Sequence, residues 1–209
     1  LVVLIADKDI EFTIKGLLTR QKSLNIRNIE ADYRSHPNRD PGCRSNGHSF
    51  LSSFTKQYLH ALVIFDLEGC GEENNKDRFQ IEKDIEEKLH SNGWGDRAVA
   101  IVIDPELEIW VWSNSRQVDK VLEWKDKNTS LRDWLREEDF LRNNQIKPAR
   151  PKEALEAVLK KVDKKISASL YQDLAEQVSL KGCSDEAFNK LIRTLQKWFP
   201  ASKAKSPNP

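Results

Sequence analysis

Three short stretches constrain this chain more than anything else in it. Residues 1–6, 61–65 and 98–103 are unbroken apolar runs rich in β-branched side chains. A run of that length without polar alternation predicts a strand covered on both faces, the environment of a parallel sheet. Amphipathic stretches separate the runs. Ile10, Ile14, Leu17 and Leu18 recur at helical spacing as far as about Lys22, and Phe79, Ile81, Ile85 and Leu89 do so up to Asn92-Gly93. Ile26, Ile29 and Ala31 alternate with polar residues and predict a further strand over 24–33. Residues 34–48, rich in Pro, Gly, Asn and Ser, read as a long loop, and Phe50, Leu51, Phe54 and Tyr58 as a short helix. The rhythm β-α-β-α-β-α-β predicts an α/β, three-layer, Rossmann-like fold with a mainly parallel sheet flanked by helices.

Beyond Trp112 the pattern becomes helical. Val118, Val121 and Leu122 suggest one short helix, and Leu131, Trp134 and Leu135 another. Residues 143–151 carry two prolines and no periodicity, so the α/β domain is expected to span 1–146. A helical extension packed on it follows over 147–199. It has stripes at Ala154–Val162, Leu170–Val178 and Phe188–Phe199, the last opened by Ser184-Asp-Glu. Residues 200–209 are expected to be a disordered tail. Trp110 and Trp112 read as core or interface residues.

The net charge of +1 on 209 residues hides a segregation. Residues 1–146 hold 21 Lys/Arg and 26 Asp/Glu, while 147–209 hold 13 and 7. The near-zero sum excludes a protein that coats a polyanion by bulk charge, but not one with a local patch. Cys43, Cys70 and Cys183 are widely spaced with no Cys-x-x-Cys, so neither a disulfide framework nor a zinc site is indicated and a reducing cytoplasm fits. The first apolar run is too short for a signal or membrane segment, so no membrane partner is expected. No Gly-x-Ser-x-Gly, phosphate-binding P-loop or His-Glu-x-x-His motif is present.

Each apolar run ends on acids: Asp7 and Asp9, then Asp66 and Glu68, then Asp104, Glu106 and Glu108. In parallel sheets ligands bind beyond the carboxyl ends of strands. Acids gathered there need a counter-charge, and carboxylate oxygens suit Mg2+ or Mn2+ with a phosphate substrate. Lys8 and the arginines Arg34, Arg39 and Arg44 are the candidate phosphate ligands, with His36 and His48 as proton carriers. Lys160, Lys161, Lys164 and Lys165 form a basic cluster on one later helix, either a solvated face or a docking surface.

Asp7 after a strand, Asp66-x-Glu68-Gly after a later one, and Pro105-Glu106-Leu-Glu108-Ile-Trp110 resemble the TOPRIM-like fold of topoisomerases, primases and overcoming-lysogenization-defect nucleases. With Pro148 to Pro151 and the Phe188…Trp198-Phe199 helix, the chain looks most like small bacterial TOPRIM-like proteins, some of them components of methylation-associated phage-defence systems. The resemblance implies a metal-dependent nuclease. Asp7 (or Asp9) stands at the family's Glu position, and Asp66 and Glu68 stand at its Asp-x-Asp. These would be the catalytic residues and, with Glu106 and Glu108, the metal ligands. It also implies nucleic acid and other defence-system subunits as partners. The chain departs from the family by Asp for Glu at the first position and Glu for Asp at Glu68. The alternative is a catalytically silent member that serves as an interaction or sensor subunit.

Overall fold

A computed structural model describes residues 1–113, 115–180 and 183–201. One sheet contains β1 (Val2–Ile5), β2 (Asp32–Ser35), β3 (Ala61–Asp66) and β4 (Ala98–Ile103). The order is β2-β1-β3-β4, and every pairing is parallel. The expected α/β architecture with a parallel sheet between helices is therefore present. β1 is wholly buried and β3 is buried up to its last residue, which is why both read as continuous apolar runs. β2 is an edge strand of sequence Asp-Tyr-Arg-Ser, half buried, and carries no such signature.

Two sequence expectations are corrected. The strand over 24–33 begins only at Asp32. Before it lies a helical turn, α2 (Gln21–Leu24), and Ile26 is buried where it bridges Pro200. Its apolar side chain therefore reflects packing beside the chain's C-terminal segment and not a place in the sheet. The expected loop over 34–48 is mostly α3 (Arg39–Ser52), which continues through the helix expected around Phe50. Pro41 is tolerated because it lies in the first turn, where no intrahelical partner for its missing N–H is needed. Gly42 serves close packing: a Cβ there would stand 1.9 Å from the His36 Nδ1.

Helices cover both faces. α1 (Lys8–Leu18) follows β1, and α4 (Arg78–Leu89) packs with α3 and against β4. The later helices are α5 (Arg116–Val121), α6 (Leu131–Glu137), α7 (Pro151–Lys161), α8 (Ala168–Gln177) and α9 (Glu186–Trp198). α8 makes the most extensive helix contact of the fold, along α1. Gly16 permits it, since a Cβ there would lie 2.7 Å from the Gln172 carbonyl oxygen. α7 packs on the 3-10 turn Leu107–Trp110, and α9 reaches β4. Trp110 and Trp112 belong to that turn and the residues after it; their indole N–H groups donate to Asp185 Oδ1 and to the Pro151 carbonyl. The acid of Ser184-Asp-Glu, not its hydroxyl, caps α9: Asp185 accepts from the Phe188 N–H. Of the tail expected to be disordered, residues 202–209 lie outside the described residues. No helix among the described residues is long and apolar enough to cross a membrane.

The second edge strand is closed by side chains. The Ala100 N–H donates to Glu86 Oε1 at 3.1 Å and the Val102 N–H to Glu82 Oε1 at 2.9 Å. Both carboxylates then receive Lys190 of α9, at 2.7 Å (Glu86) and 3.0 Å (Glu82), and Glu82 also pairs with buried Arg78 at 2.8 Å. An edge that would template another strand is thus occupied. Replacing Glu82 by Ala leaves the Val102 N–H unpaired and the buried Arg78 charge with only its longer 3.3 Å pair to exposed Glu186, so Glu82→Ala should cost about 3 kcal/mol. The shift in urea midpoint measures it, and a loss below about 1 kcal/mol would contradict this account of the edge.

Candidate functional site

The chain leaves β1 toward β2 on one side and returns to β3 on the other. The carboxyl ends of β1 and β3 therefore flank the switch point, where α/β sheets open a crevice. Asp7 follows β1 and Asp66 ends β3. Asp7 is also the N-cap of α1, its Oδ1 accepting from the Asp9 and Ile10 N–H groups, each at 3.0 Å. A cap anchored this way fixes the carboxylate in place.

Asp66 is the centre of the arrangement. Its Oδ1 is sealed from solvent and accepts no hydrogen bond. Burial raises its carboxyl well above the usual range, and Asp40, Glu108, Asp7 and Glu106 add to the shift in that order. These four acids are therefore electrostatic neighbours of Asp66. Burial likewise pushes Asp9 up to about 6, with Asp7 and Glu108 contributing. Burial pushes Glu106 up to about 7, followed by the charge of Glu108.

The other expected residues differ in what they do. Glu106 is buried and receives the Lys152 N–H on Oε1 at 3.0 Å. Glu108 is buried and accepts a short hydrogen bond from the Tyr171 hydroxyl. Glu68 is exposed, its backbone N–H bound to the Pro105 carbonyl, and reaches Glu106 only through its charge. Among the expected phosphate ligands, Lys8 pairs with Glu11 at 2.6 Å. Arg34 donates to the Tyr33 carbonyl and lies over the Phe54 ring. Arg44 donates to the Cys70 carbonyl at 2.7 Å and pairs weakly with Glu72. Arg39 is exposed at the start of α3. His36 is buried under α3 and its Nδ1 accepts from the Asn38 N–H; burial lowers its pKa. His48 lines a separate polar cleft with Asp84 and Lys88. In the basic cluster, Lys164 is drawn to the Val121 carbonyl and Glu123.

Sequence reasoning missed two members. Asp40, in the first turn of α3, accepts the Asp66 N–H on Oδ1 at 2.9 Å, and burial raises its carboxyl. It was hidden inside the stretch read as a loop; an acid next to a proline is a helix-start signal that could have exposed it. Lys152 sits one residue after the proline that opens α7, with Nζ 4.0 Å from Glu106 Oε2. The signal there was Pro151 at a helix start, but nothing in the sequence places that start beside the acids.

All the donors are carboxylate oxygens, the kind that hard divalent cations prefer. Even so, no three His, Cys, Asp or Glu side chains among the described residues are grouped closely enough to hold a metal ion. The fold and site thus define an α/β protein with an acidic crevice of raised carboxyls at its sheet's switch point. No family model, curated protein or solved structure matches the chain.

Raised carboxyls have a sign. Asp9, Glu106 and Asp66 stay protonated in the folded chain at pH values where the unfolded chain has lost those protons. Stability therefore falls as pH rises from the ordinary carboxylate range through about 6 and 7. The melting temperature should be higher near about pH 5 than near about pH 8, and Asp66→Asn should narrow that difference by stabilising the protein at the higher pH. Equal narrowing by Glu68→Gln, an exposed acid, would show that Asp66 is not the source.

Proposed function

We propose that this crevice is a divalent-cation-dependent phosphodiester-cleaving centre of the TOPRIM-like kind, and that the protein is a nuclease. One observation carries the reading: a sealed, unpartnered oxygen on Asp66 amid four further acids at the sheet's switch point. Such a group needs either a proton or a cation, and a cation turns the cluster from repelling phosphate to attracting it. Mg2+ or Mn2+, if held there, would supply a Lewis acid for a phosphoryl oxygen and acidity for a water molecule. Asp66 and Asp7 would hold it, with Asp40 in support through the Asp66 backbone. Glu106, whose carboxyl lies near neutrality, holds a proton that can pass to a leaving oxygen. The resemblance to phage-defence components makes nucleic acid the substrate class and other defence subunits the partners.

A second reading is supported by the absence, among the described residues, of a ready-made group of three ligands and by the commitment of Glu106 and Glu108 to Lys152 and Tyr171. It is a silent member that docks onto larger subunits.

Plasmid incubated with Mn2+ separates the two. The nuclease nicks DNA, Asp66→Asn abolishes nicking, and Glu106→Gln slows it by about a hundredfold with the loss of its proton donor. Mn2+ should also raise the melting temperature of the wild type but not of Asp66→Asn. Nicking by Asp66→Asn at the wild-type rate would remove the activity from this site. No nicking and no thermal shift would favour the silent member.

A further inference from the structure

The acidic crevice raises a problem that its acids cannot solve. A phosphodiester brings negative charge, and the expected phosphate ligands are committed elsewhere, apart from exposed Arg39. Lys8 is paired to Glu11, Arg44 to the Cys70 carbonyl, and Arg34 to the Tyr33 carbonyl. Lys152 is different. Its cation bears on Asp9 and Glu106, and it feels Glu108, Glu106 and Asp66 in turn. Its side chain is 52% exposed, so one side of the ammonium faces the acids and the other faces solvent.

The way Lys152 is held matters as much as where it is. The link from α7 to the crevice is the Lys152 backbone N–H on Glu106 Oε1, at 3.0 Å. Pro151 fixes the helix start, and the Trp112 indole N–H donates to its carbonyl at 2.9 Å. The helix is thus anchored without the ammonium. Nζ stays 4.0 Å from Glu106 Oε2, longer than a hydrogen bond, and is not consumed by the pair.

We propose that Lys152 is the catalytic lysine of this site: its ammonium, carried by α7 to the rim of the acidic crevice, contacts a non-bridging oxygen of the bound phosphodiester. The role rests on the nuclease reading for its substrate class. In the empty site the ammonium offsets part of the acids' repulsion; with substrate present it turns to phosphate. The acidic half of the chain and its basic extension then each supply part of one site.

The test is the salt dependence of binding. A fluorescein-labelled DNA duplex and a single-stranded RNA are titrated by anisotropy between about 50 and 200 mM salt, with Ca2+ in place of Mn2+ to limit cleavage. Loss of one phosphate contact reduces the magnitude of the slope of log K against log salt by about 0.9 on duplex and about 0.7 on single strand. Lys152→Gln should show that reduction and bind about threefold or more weakly, whereas Lys152→Arg should keep the wild-type slope. Lys83→Gln, which alters an exposed pair on α4, should change nothing. Binding by wild type with an unchanged slope in Lys152→Gln would overturn the role of Lys152, while Asp66-dependent nicking would still stand. A reduced slope with no metal-dependent nicking would overturn the nuclease reading and leave Lys152 as a phosphate ligand without catalysis. Failure of the wild type to bind either probe would overturn the Lys152 proposal outright. Because the helix is anchored through its backbone, Lys152→Gln should still fold, with a melting temperature lowered at neutral pH by the acids it no longer offsets, and a cooperative melt above the assay temperature checks that the slope reports contact and not unfolding.

Discussion

Enclosing the Asp66 carboxyl at the end of a parallel strand is the constraint around which the rest of the crevice is arranged. A carboxylate removed from water must be neutralised or bonded. Oδ1 is not bonded, and the four acids around it are of the wrong sign, offset only in part by Lys152. The fold spends other interactions on holding this unfavourable group in place. Asp40 takes the Asp66 N–H, Leu67 donates its own N–H to the Ile103 carbonyl, and Glu68 donates to the Pro105 carbonyl. The strand end is therefore fixed through its backbone N–H groups on both sides while the Asp66 Oδ1 is left unsatisfied. Strain of this kind at a strand end is expected where a ligand completes the site.

The two edges of the sheet show the contrasting use of acids. Glu82 and Glu86 are buried or half-buried like the crevice acids, but each is consumed: β4 donates backbone N–H groups to them and Lys190 neutralises both. Acid-rich α4 looks in the sequence like a solvated face; in the structure part of it is edge protection. Charge density alone does not separate a structural acid from a functional one. What separates them is whether the oxygens have partners, and by that measure Asp66 stands apart from Glu82.

The core of the fold was legible because β1, β3 and β4 carry apolar runs that only burial on both faces demands. β2 was not, since an edge strand with the sequence Asp-Tyr-Arg-Ser has no hydrophobic period to read. α3 was hidden by residues that normally break helices. Gly42 is present because His36 leaves no room for a Cβ, a tertiary reason that local propensity does not encode. The strand-end acids Asp7, Asp66, Glu106 and Glu108 were visible as a rule of parallel sheets. Which of them are free was not, because Tyr171 and Lys152 meet Glu108 and Glu106 across 63 and 46 residues of sequence.

The near-neutral total charge joins acids and a cation that lie far apart in the sequence. An acidic crevice without a resident cation would be costly to fold at neutral pH, because each raised carboxyl subtracts stability as it ionises. Two of the nearby cations are drawn into other bonds, Lys8 to Glu11 and Arg44 to the Cys70 carbonyl. A lysine carried on a separate helix can be aimed at the acids by the packing of α7 on the 3-10 turn, independently of the local sequence around them. Lys152 is the part of the C-terminal segment's basic excess that meets Glu106, while Lys190 meets Glu82 and Glu86 and Lys164 meets Glu123.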